Sequence, residues 1–202
     1  LEGQIIFKDL IYGDIETDCK ELDDFIIARS DGSPTYNFTV VVDDHDMKIS
    51  HVIRGEDHIS NTPKQILIYS ALNWEIPEFA HLPMILGSDG KRLSKRHGAT
   101  GTQTYKELGY LPETLINYLS LLGWNPGTDD EIFDLEYLIK NFSLDKVNKK
   151  AAVFDPKKLE WMSAQHIMSR NSKELLDLIK RVKPEWGAGN ETDEYLEMVV
   201  DN

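Results

Sequence analysis

The residues best equipped to do chemistry lie in one stretch, Leu86-Gly87-Ser88-Asp89-Gly90-Lys91-Arg92-Leu93-Ser94-Lys95-Arg96-His97-Gly98. It places four permanent cations and two hydroxyls in a glycine-punctuated loop, directly after an apolar run, Leu82 to Leu86, that reads as a buried strand. Glycines carry no Cβ, so backbone N–H groups can approach phosphate oxygens, and a lysine ammonium is a compact charge able to follow a phosphate through a reaction. Such a loop can hold a polyanion and can move. Taken alone, the same cluster is also an ordinary solvated basic loop, and its surroundings must decide.

The chain of 202 residues is long enough to bury a core, as one large domain or two small ones. Its hydrophobic content of 41% and charged content of 28% are those of a soluble globular protein. A single cysteine, Cys19, can form neither an internal disulfide nor a thiolate metal cage, which points to the cytosol. No metal site is expected, and no apolar run reaches the length of a membrane span. The opening Leu1-Glu2-Gly3-Gln4 is neither a start methionine nor a signal peptide, so the chain is expected to be a piece of something longer.

A net charge of −13 argues at first against nucleic acid, whose binding is driven by cations. The charge is unevenly spread. Residues 1–46 carry twelve acids against Lys8, Lys20 and Arg29, whereas residues 140–158 carry six lysines against Asp145 and Asp155. An acidic protein with a local basic stripe can still bind RNA, although Lys140, Lys146, Lys149, Lys150, Lys157 and Lys158 would equally serve as a solvated face.

The elements that must position the loop follow from periodicity. Residues 4–15 are β-rich and interrupted at Gly13, which predicts two short strands or a ribbon. Phe25 to Arg29 reads as another strand, closed by a turn through Pro34. Thr35 to Asp44 is a strand by its three valines and a helix by the spacing of Tyr36 and Val40. Ile49 to Arg54 is a strand, with Gly55-Glu56-Asp57-His58 leaving its end, where ligands sit in open α/β sheets. Thr62-Pro63-Lys64-Gln65 predicts a helix start with a capping box, and the helix runs to about Asn73. Strand 49–54, helix 62–73 and strand 82–86 then form a βαβ unit that delivers Arg54 and the cationic loop to one sheet edge. Strand 49–54 is expected to leave an open edge.

From Gln103 onward the pattern is helical. Pro112 starts a helix with an apolar face of Leu115, Ile116, Leu119 and Leu122, ended by Gly123. Asp134 is expected to cap a helix carrying Leu135, Leu138 and Ile139, and Asp155-Pro156 opens another with Leu159 and Met162. Ser172 to Lys183 is amphipathic and stops at Pro184, and the last twelve residues hold five acids and no base. The change from α/β to all-α falls near residue 100.

Five motifs recur together in a known order and spacing: Pro34-Thr35-Tyr36, Val41-Val42-Asp43-Asp44, His51-Val52-Ile53-Arg54-Gly55-Glu56-Asp57-His58, Asn61-Thr62-Pro63, and Arg92-Leu93-Ser94-Lys95-Arg96-His97-Gly98. Gly109-Tyr110-Leu111-Pro112-Glu113, Leu121-Leu122-Gly123-Trp124 and Val153-Phe154-Asp155 continue the series. Through them the chain resembles the glutamyl-tRNA synthetases, class I enzymes, over nearly its whole length. The resemblance implies the second half of a Rossmann-like nucleotide-binding fold followed by helical domains. Residues 1–35 would end the inserted acceptor-end-binding domain, 36–100 would hold the rest of the catalytic domain, 101–170 the stem-contact domain, and 171–202 the start of the anticodon-binding domain.

The implied function is ATP-dependent attachment of L-glutamate to tRNA(Glu) through a glutamyl-adenylate, with Mg2+ accompanying ATP. Arg92-Leu93-Ser94-Lys95-Arg96 resembles the family's KMSKS motif, with Lys95 as its functional lysine and Arg92 where the written motif has Lys. By the same resemblance Arg92, Leu93, Ser94, Lys95 and Asp57 would contact ATP, while Tyr36 and Arg54 would contact the amino acid. Arg54 suits a carboxylate through its planar fork, and the Arg-Gly-Glu-Asp sequence distinguishes the chain from the similar glutaminyl enzymes. At Val40 an apolar side chain replaces an amide found in some members. The earlier His-x-Gly-His motif is absent from the sequence, so these residues alone are expected to be inactive. Lys146, Lys149 and Lys150 would meet tRNA backbone. The alternatives are a non-catalytic tRNA-binding module, a glutaminyl-type enzyme, or a relative that glutamylates a tRNA base.

Overall fold

Inward-pointing Phe7 and Asp9, two residues apart, give β1 (Gln4–Asp9) one buried face. The computed structural model, which describes residues 2–94 and 101–182, pairs β1 antiparallel with β2 (Gly13–Asp18). Gly13 enters β2 at φ +87°, a backbone conformation that L side chains resist. The predicted ribbon is thus a hairpin. It continues into a four-stranded mixed sheet of order β2-β1-β4-β3, where β3 is His51–Gly55 and β4 is Glu78–Leu82. β3 and β4 run parallel with Arg54 opposite His81, and β1 meets β4 in parallel at Asp9 and Phe79. Among the described residues β3 is an edge strand, as expected.

The two open readings of Thr35–Asp44 resolve as a helix, α1 (Tyr36–Asp46). Its Val41 is fully buried against Ile68 and Tyr69 of α2 (Thr62–Ala71), with Phe25, Phe38 and Trp74 packed around them. Burial against α2 outweighs the strand propensity of the valines. Phe25–Arg29, expected to be a strand, makes only an isolated bridge, Ala28 to Pro34. The turn takes Arg29 N–H back to the Ser33 carbonyl and Thr35 N–H to the Ile27 carbonyl, and the return then enters α1 at Tyr36, which leaves no residues to extend a ladder.

Two further expectations are corrected in the βαβ unit. The second strand is Glu78–Leu82, not Leu82–Leu86, because Pro83 has no N–H to continue a ladder, leaving only the two-residue β5 (Ile85–Leu86) beyond it. The capping box at Thr62 does not form. A 3-10 turn, Glu56–Asn61, runs directly into α2, so Thr62 already has helical backbone angles and its side chain makes no cap hydrogen bond.

The chain divides into two compact units. The first comprises residues up to Leu86 with Gly123–Gly127 and Phe142–Ala152, and the second comprises Gly87–Leu122, Thr128–Asn141 and the residues from Val153 onward. Within the second, α3 (Thr102–Glu107), α4 (Pro112–Leu121), α5 (Leu135–Asn141), α6 (Pro156–Met168) and α7 (Ser172–Val182) form a helical body. Asp134 and Asp155 cap α5 and α6 as predicted, accepting from Tyr137 N–H at 2.7 Å and Lys157 N–H at 2.9 Å. Leu159 and Met162 are buried on α6, and Leu138 on α5.

The face of α4 is only partly the one its leucines suggest: Leu122 is buried and Leu115 half-buried as expected. Ile116 and Leu119 are exposed, while Thr114, Asn117 and Tyr118 are buried. Asn117 explains the rotation. Its Oδ1 accepts from Phe133 N–H at 3.1 Å and pairs with His166 Nε2 at 3.0 Å, and its Nδ2 donates to the Glu131 carbonyl at 3.0 Å. Tyr118 hydroxyl likewise accepts from Asp155 N–H at 2.7 Å and donates to the Asp155 carbonyl at 3.0 Å, and burial pushes its pKa up to about 12. Leu135 and Ile139 of α5 are also exposed, against expectation. The expected stop at Pro184 and the acidic end lie outside the described residues.

Candidate functional site

The site is built at the carboxyl ends of β3 and β4, where parallel pairing sets Arg54 beside His81. Arg54 is partly buried, and its guanidinium is held from several sides. Nε donates to His81 Nε2 at 3.1 Å, and Nη2 donates to Thr62 Oγ1 at 2.8 Å and Gln65 Oε1 at 2.9 Å. The carbonyl of His58 lies 3.4 Å from Nη2, and the Phe79 ring centroid lies 5.6 Å from Cζ. Thr62 and Gln65, the two residues of the expected capping box, therefore serve the arginine. Gln65 is oriented by its own donation from Nε2 to Asn37 Oδ1 at 3.0 Å.

Behind the arginine lies a second layer that is closed to solvent. His81 is fully buried and Asp9 almost so. His81 Nδ1 meets Asp9 Oδ2 at 2.6 Å, and Asp9 Oδ2 also accepts His81 N–H at 3.1 Å. Asp9 Oδ1 takes the N–H groups of Ile11 and Tyr12, each at 2.9 Å. A buried carboxylate is stable when its oxygens are saturated with donors in this way.

In front of the arginine stand Tyr36 and His58. Tyr36 is half exposed on the first turn of α1, its hydroxyl 3.2 Å from His58 Nδ1. Asn61 Nδ2 donates to the same nitrogen at 3.2 Å. Burial pulls the Arg54 guanidinium below its ordinary range, opposed by the Tyr36 hydroxyl and the Asp44 carboxylate. Burial raises Asp44 in turn, opposed by Arg54. A charged, desolvated guanidinium with a tyrosine at its mouth is suited to binding a carboxylate.

The neighbouring Gly55-Glu56-Asp57 turn is pinned on both sides. Glu56 Oε1 accepts Met84 N–H at 2.9 Å, and Oε2 accepts the Tyr12 hydroxyl at 2.5 Å. Burial, with Glu56 beside it, raises the Tyr12 pKa. Tyr12 hydroxyl also reaches the Lys149 carbonyl at 3.3 Å, and Lys149 Nζ donates to the Tyr12 carbonyl at 3.3 Å. Lys146 Nζ donates to the Pro126 carbonyl at 3.2 Å, and Lys150 is exposed.

Arg54, Tyr36 and Asp57 thus lie in one unit, with Arg54 and Tyr36 facing one another. Arg92, Leu93 and Ser94 follow a turn closed by Gly87 N–H to the Lys91 carbonyl at 2.8 Å, with Gly90 at φ +73°. They belong to the second unit. Lys95, with Arg96, His97 and Gly98, lies outside the described residues. Among the described residues no group of three or more His, Cys, Asp or Glu side chains is placed to hold a metal ion, and no helix is long and apolar enough to cross a membrane. A cavity of about 620 Å³ lies at the opposite, amino ends of β3 and β4, lined by His51 and Glu78 among others, and is not part of this site.

The sequence reading names Arg54 and Tyr36 and does not name Asp9, His81, Thr62 or Gln65 as partners, although the structure gathers them at and behind the guanidinium. The available signal was the pairing itself. Aligning the two parallel strands at their apolar residues puts His81 opposite Arg54.

A family model described as tRNA synthetases class I (E and Q), catalytic domain, matches residues 1–161. The chain is 56% identical over 175 residues to glutamate–tRNA ligase 1 of Caldicellulosiruptor saccharolyticus, and 53% identical over 180 residues to the glutamate–tRNA ligase of Nitrosospira multiformis. These alignments cover 87% and 89% of this chain but 36% and 38% of the relatives, so it spans little more than a third of their length. A crystal structure of a glutamate–tRNA ligase from Elizabethkingia meningosepticum, in complex with its amino acid, superposes with a TM-score of 0.88 at 36% identity, covering 100% of this chain and 43% of that one. The mixed sheet and helices are accordingly the catalytic-domain fold of these enzymes, and the chain belongs to the class I tRNA synthetases (E and Q).

Proposed function

We propose that this chain supplies the amino-acid site and the KMSKS-type loop of an ATP-dependent glutamate–tRNA ligase. The carrying observation is the Arg54 guanidinium, fixed by His81, Thr62 and Gln65 and fronted by Tyr36. Four acceptors hold the Nε and Nη2 donors, so the fork is oriented before substrate arrives, which lowers the ordering cost of binding. A carboxylate of glutamate would meet this cation, whereas the uncharged amide of glutamine would leave it without a counter-charge. That difference is the basis of discrimination.

In this reading the α-carboxylate of glutamate attacks the α-phosphorus of ATP, forming the acyl–adenylate anhydride as the bond to pyrophosphate breaks. The ribose hydroxyl at the tRNA end then attacks the acyl carbon and releases AMP. Negative charge grows on the departing pyrophosphate, so Lys95 in a glycine-flanked loop would gain most of its interaction in the transition state. Arg92, Leu93, Ser94 and Asp57 complete the ATP contacts by resemblance. Mg2+ enters with the ATP phosphates, and no residue of this chain is assigned to hold it.

The helical unit supports the finer reading of residues 101–170 as the stem-contact domain and of 171–202 as the start of the anticodon-binding domain. Residues 1–35 would then end the acceptor-end-binding domain, and 36–100 would continue the nucleotide-binding fold. Lys146, Lys149 and Lys150 are placed on tRNA(Glu) backbone in the same reading. The ammonium groups of Lys146 and Lys149 each donate to a carbonyl here and keep further donors for phosphate.

The test is charging of tRNA by the full-length enzyme that carries these residues. Attachment of glutamate but not glutamine is expected, with Lys95→Ala slowing ATP–pyrophosphate exchange, measured with tRNA present, by roughly 10²-fold or more. Attachment of neither amino acid would remove the reading.

A further inference from the structure

We propose that His81, held by Asp9, is a positioning residue that sets the orientation of the Arg54 guanidinium and so the affinity for the amino acid. The inference rests on the reading of Arg54 as the amino-acid cation and adds two residues that contact no substrate. Its basis is the direction of the hydrogen bonds. An arginine Nε carries a proton and cannot accept, so the contact at 3.1 Å requires a bare lone pair on His81 Nε2. The ring proton must then sit on Nδ1, where Asp9 Oδ2 accepts it at 2.6 Å. Asp9 thereby selects the tautomer, and the tautomer selects the arginine's pose.

The arrangement is built to be rigid. His81 is fully buried, its ring packs against Phe7 and Phe79 at centroid distances of 6.5 and 6.2 Å, and Asp9 is fixed by the Ile11 and Tyr12 N–H groups. His81 thus transmits the position of the β1 hairpin to the end of β3. Thr62 and Gln65 constrain only the Nη2 corner of the guanidinium. Without an acceptor at Nε, no hydrogen bond to this buried layer would fix the turn of the plane about the Cζ–Nη2 direction.

The experiment compares His81→Asn, whose shorter amide leaves no acceptor at the Nε2 position, with Asp9→Asn, Arg54→Lys and the double variant His81→Asn/Arg54→Lys in the full-length enzyme, by ATP–pyrophosphate exchange in the presence of tRNA. His81→Asn and Asp9→Asn should raise KM for glutamate about tenfold or more and leave KM for ATP within about twofold, and His81→Asn should add little to the defect of Arg54→Lys in the double variant. Multiplicative defects in the double variant, or an unchanged KM for glutamate in a folded His81→Asn enzyme, would overturn the positioning role while leaving Arg54 in place. If Arg54→Lys itself leaves KM for glutamate unchanged, the reading of the site fails first. Should the His81 variants not fold, ¹⁵N spectroscopy of the wild-type imidazole decides. A protonated Nδ1 with a bare Nε2 at neutral pH is expected, and an Nε2-protonated ring would overturn the proposal.

Discussion

A Cβ placed on Gly55 would sit 2.6 Å from Asp57 Oδ1, closer than side-chain atoms tolerate. The glycine is required there by that approach, because its φ of −65° is open to any residue. The Asp57 carboxylate folds back over the last residue of β3, into the space that the absent side chain leaves there. Gly55→Ala should therefore leave the strand intact and swing the Asp57 carboxylate away. With Asp57 proposed as an ATP contact, the expected result is a rise in KM for ATP of several-fold with KM for glutamate little changed, read by steady-state kinetics of the full-length enzyme. A change confined to glutamate would place Asp57 with the amino acid instead. Gly55 and Arg54 are neighbours with opposite requirements, one defined by the space it leaves and the other by the donors it presents.

At the scale of elements, legibility in the sequence depended on whether a signal was local. The caps at Asp134 and Asp155 act within three residues and were read directly. The strand end at Arg54 was legible within one residue, since alternation and a following glycine mark it. Thr62 and Gln65 formed a sound local capping pattern, yet a guanidinium eight and eleven residues away takes both side chains. The leucines of α4 predicted a buried face that holds at Leu122 but not at Ile116 and Leu119, because three polar partners from Glu131, Phe133 and His166 converge on the Asn117 amide. No periodicity argument counts hydrogen bonds from other segments. The consequence can be measured. Asn117→Ala should destabilise the helical unit by about 1–3 kcal/mol for each buried partner left unsatisfied, whereas Leu119→Ala, on the exposed face, should change stability by under about 0.5 kcal/mol. Denaturant unfolding of both variants checks this, and the reverse order would restore the leucine face as the packed one.

At the scale of the whole molecule, among the described residues each unit carries one buried histidine, His81 in the first and His166 in the second. Burial lowers the pKa of His81 below 6.5, opposed by Asp9 and assisted by the Arg54 charge, and burial alone lowers that of His166. Below pH 6.5 the unfolded imidazoles take up protons that the folded ones refuse, so the unfolded state binds more protons and stability falls as pH falls. Above 6.5 both states hold neutral rings and the contribution is complete. The loss begins near pH 6.5 and ends once pH passes below the folded pKa of each ring, at about 1.4 kcal/mol for every unit separating the two states. Asp44, raised above 3.8 by burial, acts with the opposite sign, because the folded state then binds the extra proton. The histidine share must accordingly be isolated by substitution. His166→Gln should remove part of the slope of unfolding free energy on the acid side of pH 6.5 without altering KM for glutamate. His81→Asn should remove a further part of that slope and also raise that KM. Equal slopes in wild type and the double histidine variant would show that other groups govern the acid limb.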